Sequence, residues 1–247
     1  MKLKTKISIS VISVLLIFAG IVMNLEVSIR QGSGGHYRTI KMPLYVKWTE
    51  FLARHYEYAR IAKEVTSPYK TDEEKALAIF KWTRANIKDV PKNMPLTDDH
   101  ILNIIIRGYG VPEQFQDVFT TLCTYSNIPA FWRRIYDNEH KVKYGLSFVR
   151  LNGKWRVFDA YYGIYFRTNG GDIASVDDIV KDSSLIKGKG IDTISIMGVP
   201  YDEFYHNLKP ITIPMTSRAE KQMPLKRILF ELKKLIRAEK EENDNHE

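Results

Sequence analysis

Several stretches of the chain place apolar residues at the spacing of an amphipathic helix. In the clearest of them, apolar residues occupy positions i, i+3, i+4, i+7 and i+8, namely Phe115, Val118, Phe119, Leu122 and Cys123. A helix with this spacing buries one face, so we expect it to pack on another layer of the fold. Similar spacing predicts helices over residues 48–62 and 98–107.

The residues at two helix ends support these assignments. Thr71 followed by Glu74 has the pattern of a capping box, in which each side chain satisfies the backbone N–H of the other residue. Gly108 follows the apolar run that ends at Arg107, and glycine commonly ends a helix because it tolerates the left-handed backbone conformation. The sequence therefore predicts one helix that begins after Thr71 and another that ends at Gly108.

Three short segments predict an antiparallel sheet. They are Phe131–Asp137, Leu146–Leu151 and Trp155–Asp159, and the last two flank Asn152–Gly153. Asn-Gly is a strong signal for a two-residue hairpin turn. A turn there places Leu146 opposite Asp159 and makes Tyr144 a diagonal neighbour of Asp159, at about 7–8 Å between the backbones.

In this order, the helix, the turn and the hairpin resemble the core of the transglutaminase-like superfamily, over roughly residues 71–180. The family's signatures are similar to Gly110–Arg133, which contains the turn Asn127–Phe131, and to Asn152–Trp155 followed by Asp159. Ser175–Val180 resembles a short helix that often follows this core. The resemblance implies an α+β fold of papain-like type, in which a helix packs on an antiparallel sheet.

The same resemblance implies a catalytic Cys, His and Asp, of which only the Asp is present. Pro112 stands at the Cys position, Tyr144 stands at the His position, and Asp159 remains. A Tyr is a poor general base at neutral pH because its ordinary pKa is about 10. We therefore expect a non-catalytic relative that binds or assembles. The alternatives are an active hydrolase or acyltransferase with relocated catalytic groups, and a purely structural subunit of an envelope complex.

The lost site is the candidate binding site. The resemblance implies a groove between the helix that starts at Pro112 and the strands of the hairpin, and the N–H groups near residues 113–115 are expected to receive a carbonyl or carboxylate. The expected ligand is an envelope peptide, a glycan or a protein partner. The residues predicted to bind it are Glu113, Gln114, Tyr144, Asp159 and Tyr161.

Other reactive side chains lead to weaker hypotheses. Cys123 is the only cysteine, which excludes an intramolecular disulfide and a cysteine zinc site, and its place on the apolar stripe predicts a buried thiol. His140 is either a substitute for the lost His or a solvated loop residue. His100 follows Asp98 and Asp99 at a predicted helix start, a pattern that favours capping over metal binding. We expect neither a metal nor a cofactor.

The N-terminal segment predicts a membrane anchor. Residues from Ile7 to Leu25 are uncharged and strongly apolar, and such a run is long enough to cross a bilayer core of about 30 Å. Lys2, Lys4 and Lys6 precede it, so the positive-inside rule predicts a single-pass protein with its domain outside the cytoplasm. A cleaved signal peptide, which would give a secreted protein, is the alternative.

The charge of +8 does not predict nucleic-acid binding. Residues 1–30 carry +3, residues 217–247 carry +1, and the long segment between them carries the remaining +4 without a basic stripe. A nucleic-acid site usually concentrates its Lys and Arg on one face. We therefore expect no nucleic-acid partner.

The C-terminal segment Pro224–Lys240 predicts a second type of amphipathic helix, with Leu and Ile on one face and Lys and Arg on the other. Such a helix either lies on an anionic membrane surface or docks on its own domain, and docking is the favoured prediction. The predicted organisation is an anchor over residues 1–30, a linker over 31–36, the transglutaminase-like domain over 37–216, and the basic helix with an acidic tail over 217–247.

Overall fold

In the computed structural model, the described residues are 2–33, 36–94, 100–186, 191, 193–206, 208 and 210–244. The chain divides into two compact units. The first comprises residues 1–54 with 95–99, and the second comprises residues 55–94 and 100–247.

The first unit contains a helix and a β-hairpin. Helix α1 spans Lys2–Asn24, strand β1 spans Glu26–Ser33, and strand β2 spans His36–Pro43. The two strands pair antiparallel, with Ile29 opposite Ile40. Of the linker predicted over residues 31–36, residues 31–33 and 36 lie in these paired strands, while Gly34 and Gly35 lie outside the described residues.

The predicted anchor falls on helix α1. The side chains of residues 2–10, which include the beginning of the predicted span at Ile7, lie outside the described part of the chain. No helix among the described residues combines the length and the apolar character needed to cross a membrane.

Four helices begin the second unit or lead into it. They are α2 (Leu44–Thr66), α3 (Asp72–Asn86), α4 (Ile101–Arg107) and α5 (Pro112–Tyr125). Thr71 and Glu74 form the predicted capping box at the start of α3. Gly108 ends α4 with a left-handed φ of 70°. The residues Lys88–Asp89 (β3) and Tyr109–Gly110 (β4) form a short parallel pair.

A three-stranded antiparallel sheet follows, in the order β5-β6-β7. Its strands are β5 (Ala130–Asp137), β6 (Val142–Leu151) and β7 (Lys154–Phe158). Asn152 and Gly153 both have positive φ, 51° and 79°, as a type I′ hairpin turn requires. Leu151 pairs with Lys154, so the register predicted from the Asn-Gly signal is confirmed.

Both faces of this sheet are covered, and as a result β6 is buried at eight of its ten positions. On one face, Val149 and Leu151 join a core with residues of helices α2 to α5. On the other face, Leu146 and Phe148 join a second core with the later part of the chain. A strand covered on both sides is expected to carry apolar residues on both faces rather than alternating, and residues 144–149 of β6 are apolar apart from Ser147.

The second core is completed by short elements. They are α6 (Val176–Lys181), β8 (Ser195–Ile196), β9 (Val199–Pro200) and α7 (Tyr201–His206). Ser175 caps α6 by accepting from the Asp178 N–H. The long helix α8 (Pro224–Asp244) comes last. The favoured prediction that α8 docks its apolar face on its own domain is wrong, because Leu225 and Ile236 on that face are 76% and 65% exposed.

Candidate functional site

The site lies where the first turn of α5 meets the end of β7. Pro112 is the first residue of α5, a position that proline suits because its missing N–H has no partner inside a helix. The Val111 N–H donates to Oε1 of Gln114 at 3.2 Å, and Arg107 donates to the same oxygen. A Cβ at Gly110 would lie 2.8 Å from that oxygen, so only glycine fits there without displacing Gln114.

The N–H groups predicted to be free at this helix start are partly used. The Gln114 N–H donates to the Val111 carbonyl at 2.8 Å, and the Phe115 N–H approaches the same carbonyl at 3.4 Å. Glu113 pairs with Arg134 at 3.1 Å. The helix start is therefore occupied mainly by contacts within the protein.

Asp159 is the centre of a buried hydrogen-bond network. Its carboxylate is inaccessible to solvent. The Tyr144 hydroxyl lies 2.9 Å from both carboxylate oxygens, and the Tyr201 hydroxyl donates to Oδ2 at 2.9 Å. Nε2 of Gln116 donates to Oδ1 at 3.2 Å. The predicted contact between the diagonal neighbours Tyr144 and Asp159 is confirmed.

Backbone groups complete this network. The N–H groups of Tyr161 and Tyr162 donate to Oδ1 of Asp159 at 3.0 and 3.1 Å. A carboxylate two residues before a turn commonly accepts such bonds and fixes the turn. Asp159 therefore holds the chain reversal that follows β7 as well as the two tyrosine hydroxyls.

Gln116 connects the helix to the sheet through its amide oxygen. That oxygen accepts from the Ser147 hydroxyl at 2.6 Å and from the Ala160 N–H at 3.1 Å, and Gln116 and Ser147 are fully buried. Sequence reasoning missed Gln116, Ser147 and Tyr201. The signal that was available for Gln116 is a polar residue on α5 one turn after Pro112, whereas nothing in the local sequence points from Asp159 to Tyr201.

The electrostatics of the network keep its tyrosines protonated. Burial raises the pKa of the Asp159 carboxyl, although the hydrogen bonds that it accepts act in the opposite direction. Burial and the adjacent Asp159 raise the pKa of Tyr144, and the same two causes raise the pKa of Tyr201. Tyr144 is therefore a hydrogen-bond donor that cannot accept a proton from a nucleophile at neutral pH.

Cys123 lies on the buried face of α5, as predicted. It is fully buried, and burial raises the pKa of its thiol. A reactive cysteine has a lowered pKa and some exposure, so Cys123 has neither property of a nucleophile.

His140 does not pair with Asp159 in place of the His that the resemblance implies. Its Nδ1 lies 2.7 Å from Asp137, and its Nε2 lies 3.3 Å from Glu203, so neither ring nitrogen is left to pair with Asp159. The hydrogen bond to Asp137 is the main cause that raises the pKa of this imidazole. His140 thus lies in the loop between β5 and β6, as one of the two interpretations predicted, and it is partly exposed and held between two carboxylates.

Metal binding has no visible support in the part of the chain that the structure describes. There, no group of three or more His, Cys, Asp or Glu side chains is arranged to hold a metal ion. His100 occupies the cap position of α4 and makes no side-chain capping bond. Asp98 and Asp99, which belong to the same hypothesis, lie outside the described residues.

The five residues predicted to bind a ligand do not form one open surface. Gln114, Tyr144 and Asp159 are buried, at 3%, 6% and 0% exposure, whereas Glu113 and Tyr161 are partly exposed. A ligand that touched Tyr144 or Asp159 would first have to displace the groups that cover them. Of the five predicted residues, only Glu113 and Tyr161 are therefore accessible to a ligand in this structure.

Comparisons with known proteins agree with this architecture. Residues 59–167 match the transglutaminase-like superfamily, and this segment includes α3, α5, the sheet and Asp159. No curated protein matches the chain.

Three solved structures are similar to parts of the chain. A candidate cysteine protease from Cytophaga hutchinsonii is 20% identical, with 43% of this chain and 37% of that chain covered and a TM-score of 0.37. A candidate protease from Parabacteroides distasonis is 13% identical (54% and 35% covered, TM-score 0.35). A structure described as a TGase is 12% identical (54% and 44% covered, TM-score 0.35). The chain spans less than half the length of each of these proteins.

The match over residues 59–167 covers the helix, the hairpin and the positions of Pro112, Tyr144 and Asp159. The order of elements is the one that the sequence motifs predict. Over residues 59–167 this chain is therefore similar to the transglutaminase-like superfamily.

Proposed function

We propose that this transglutaminase-like domain is a non-catalytic binding or assembly module of the cell envelope. The observation that carries the proposal is the environment of the Asp159 carboxylate. It is fully buried and accepts hydrogen bonds from Tyr144, Tyr201 and Gln116. A catalytic Asp of this family orients a His, and here a tyrosine with a raised pKa takes that place.

The nucleophile is missing as well as the base. Pro112 has no reactive atom, and the thiol of Cys123 is buried with a raised pKa. Loss of either a nucleophile or its base removes most of the rate of such an enzyme. The network around Asp159 instead joins α5, the sheet and α7 through buried hydrogen bonds.

Attachment to the membrane is a further part of the proposal. It is supported by the uncharged segment Ile7–Leu25 and by the exposure of apolar residues along α1, such as Leu16 and Phe18 at 67% and 64%. The basic residues before this segment favour a domain outside the cytoplasm. In that location, the expected ligand is an envelope peptide, a glycan or a protein partner.

The absence of catalysis is tested with the purified chain and peptide substrates. We expect neither amide exchange nor peptide hydrolysis that depends on a thiol. The matched controls are Cys123→Ala, which should behave like the wild type, and the double variant Pro112→Cys with Tyr144→His. Iodoacetamide should alkylate the new thiol at position 112 in the native state and leave Cys123 unmodified. Wild-type activity that both iodoacetamide and Cys123→Ala abolish would refute the proposal.

The binding role is tested separately, by titrating envelope peptides and glycan fragments into the wild type and Tyr161→Ala. If the partly exposed face of Tyr161 contacts the ligand, its loss should weaken binding by about 1–3 kcal/mol. Tyr136→Ala is the matched control, because Tyr136 is 46% exposed on β5. Equal affinities for all three proteins would move the site elsewhere and leave the structural-subunit hypothesis ahead.

A further inference from the structure

The apolar face of helix α8 is uncovered over three turns. On this face, the large aliphatic side chains that the structure describes occupy positions i, i+3, i+4, i+7 and i+11 and are exposed: Leu225 (76%), Ile228 (46%), Leu229 (57%), Leu232 (50%) and Ile236 (65%). Monomeric soluble proteins seldom expose a contiguous apolar surface of this kind, and such surfaces usually mark an interaction site.

The first turns of α8 are held in place from their polar side. Lys226 pairs with Glu220 at 2.9 Å, and the ammonium of Lys221 lies 4.4 Å from the centre of the Phe230 ring. These contacts join the helix to the short 3-10 helix Glu220–Gln222 that precedes it. They do not cover the aliphatic stripe, which stays exposed.

The charges beside the stripe are mainly positive. Residues 224–234 contain one acidic residue, Glu231, which pairs with Arg227 at 2.8 Å. The same range contains four basic residues: Lys226, Arg227, Lys233 and Lys234. Lys226 and Lys233 are seven positions apart and therefore lie on the same side of the helix, next to Leu229. Lysine side chains in this position extend their stems along an apolar surface and reach outward with their charge.

We propose that α8 binds the surface of an anionic lipid membrane, with its aliphatic stripe between the acyl chains and its lysines at the headgroups. This combination of an aliphatic face and a basic polar face is the one that interfacial helices use. A second copy of the chain fits less well, because pairing two copies through this stripe would bring a net positive charge against another one. The inference does not depend on the anchor in α1, nor on whether the domain is catalytic.

The test uses the full chain with a fluorescent label that reports its surroundings. Leu229→Cys carries the label on the stripe, and Lys234→Cys carries it on the opposite side of the helix as the matched control. The only native cysteine, Cys123, is buried and should not react. Each protein is mixed with phosphatidylcholine vesicles, with or without phosphatidylglycerol, and circular dichroism checks that the variants keep their helix content.

We expect the emission of the label at position 229 to shift to shorter wavelength with the anionic vesicles and not with the neutral ones, and the label at 234 to shift little. Adding Lys233→Gln and Lys226→Gln should raise the lipid concentration at half-maximal shift on the order of 10-fold, because each basic residue near an anionic surface strengthens binding several-fold. Equal shifts with both vesicles, or none with either, would overturn the proposal. So would a shift without lipid that grows with protein concentration, which would assign the stripe to a second copy.

Discussion

Replacing Tyr144 with Phe removes one hydroxyl from the network around Asp159 and leaves the rest of the side chain. That hydroxyl lies 2.9 Å from both carboxylate oxygens. The ring packs edge-on against Phe204, with centroids 5.8 Å apart, and this contact persists in the variant. The substitution therefore isolates the hydrogen bond from the packing.

The expected cost follows from the state of the acceptor. A hydrogen bond to a charged group contributes about 1.5–3 kcal/mol to stability, and a bond between neutral groups contributes about 0.5–1.5 kcal/mol. Asp159 keeps Tyr201, Gln116 and two backbone donors in the variant. We therefore expect the lower part of the charged range, about 1.5–2 kcal/mol at neutral pH.

The pH dependence gives a second and more specific expectation. Because burial raises the native pKa of Asp159 above its unfolded value of 3.8, its contribution to stability is fully present below that value and decreases as pH rises through the native pKa. The Tyr144 hydroxyl favours the charged carboxylate, so its removal raises the native pKa further. The destabilisation by Tyr144→Phe should therefore be smaller at pH 4 or below, and should increase as pH rises through the two native pKa values.

The measurement is urea denaturation followed by tryptophan fluorescence, at a series of pH values. The matched control is Tyr136→Phe, since Tyr136 lies on the neighbouring strand β5 and is 46% exposed; its effect should stay within about 0.5 kcal/mol. A cost of Tyr144→Phe as small as that of the control, or one that falls as pH rises, would show that the hydroxyl does not stabilise a buried carboxylate.

Two further predictions concern neighbouring parts of the domain. Gly110→Ala should lower the free energy of unfolding by about 1–3 kcal/mol in the same urea assay, because its Cβ would collide with the Gln114 side chain; wild-type stability would contradict the tight packing there. The pKa of His140, measured by NMR, should exceed its ordinary value of 6.5 and fall in Asp137→Asn, because the hydrogen bond to Asp137 favours the charged imidazole. This contribution to stability is present below pH 6.5 and is lost as pH rises through the raised pKa. An unchanged His140 pKa in Asp137→Asn would remove Asp137 as the cause.

The local elements of this protein are determined by short stretches of its sequence. Thr71 and Glu74 lie three residues apart and form the capping box in the structure as predicted. Asn152 and Gly153 determine the turn and, through it, the register that puts Tyr144 next to Asp159. These features depend on backbone geometry over a few residues, so sequence patterns capture them.

In two places the structure depends on neighbouring segments rather than on local composition. The residues 31–33 look like part of a flexible Gly-Ser linker, yet they pair with residues 36–38 in a hairpin. The stripe on α8 looks like a surface that docks on its own domain, yet it is exposed. Periodicity shows that a face is apolar, and it does not show what lies opposite to it.

The sequence by itself determined the resemblance to the family, the order of the elements, the turn at Asn152–Gly153, and the presence of Pro and Tyr at positions 112 and 144, where the resemblance implies a Cys and a His. Only the tertiary structure decided which residues surround the Asp159 carboxylate. It brings Gln116 and Tyr201, which lie 43 and 42 residues from Asp159 in the chain, onto one carboxylate. Contacts between such distant residues arise when separate elements pack together, and no local pattern encodes them. The closure of the site around Asp159 is therefore a property of the packed domain.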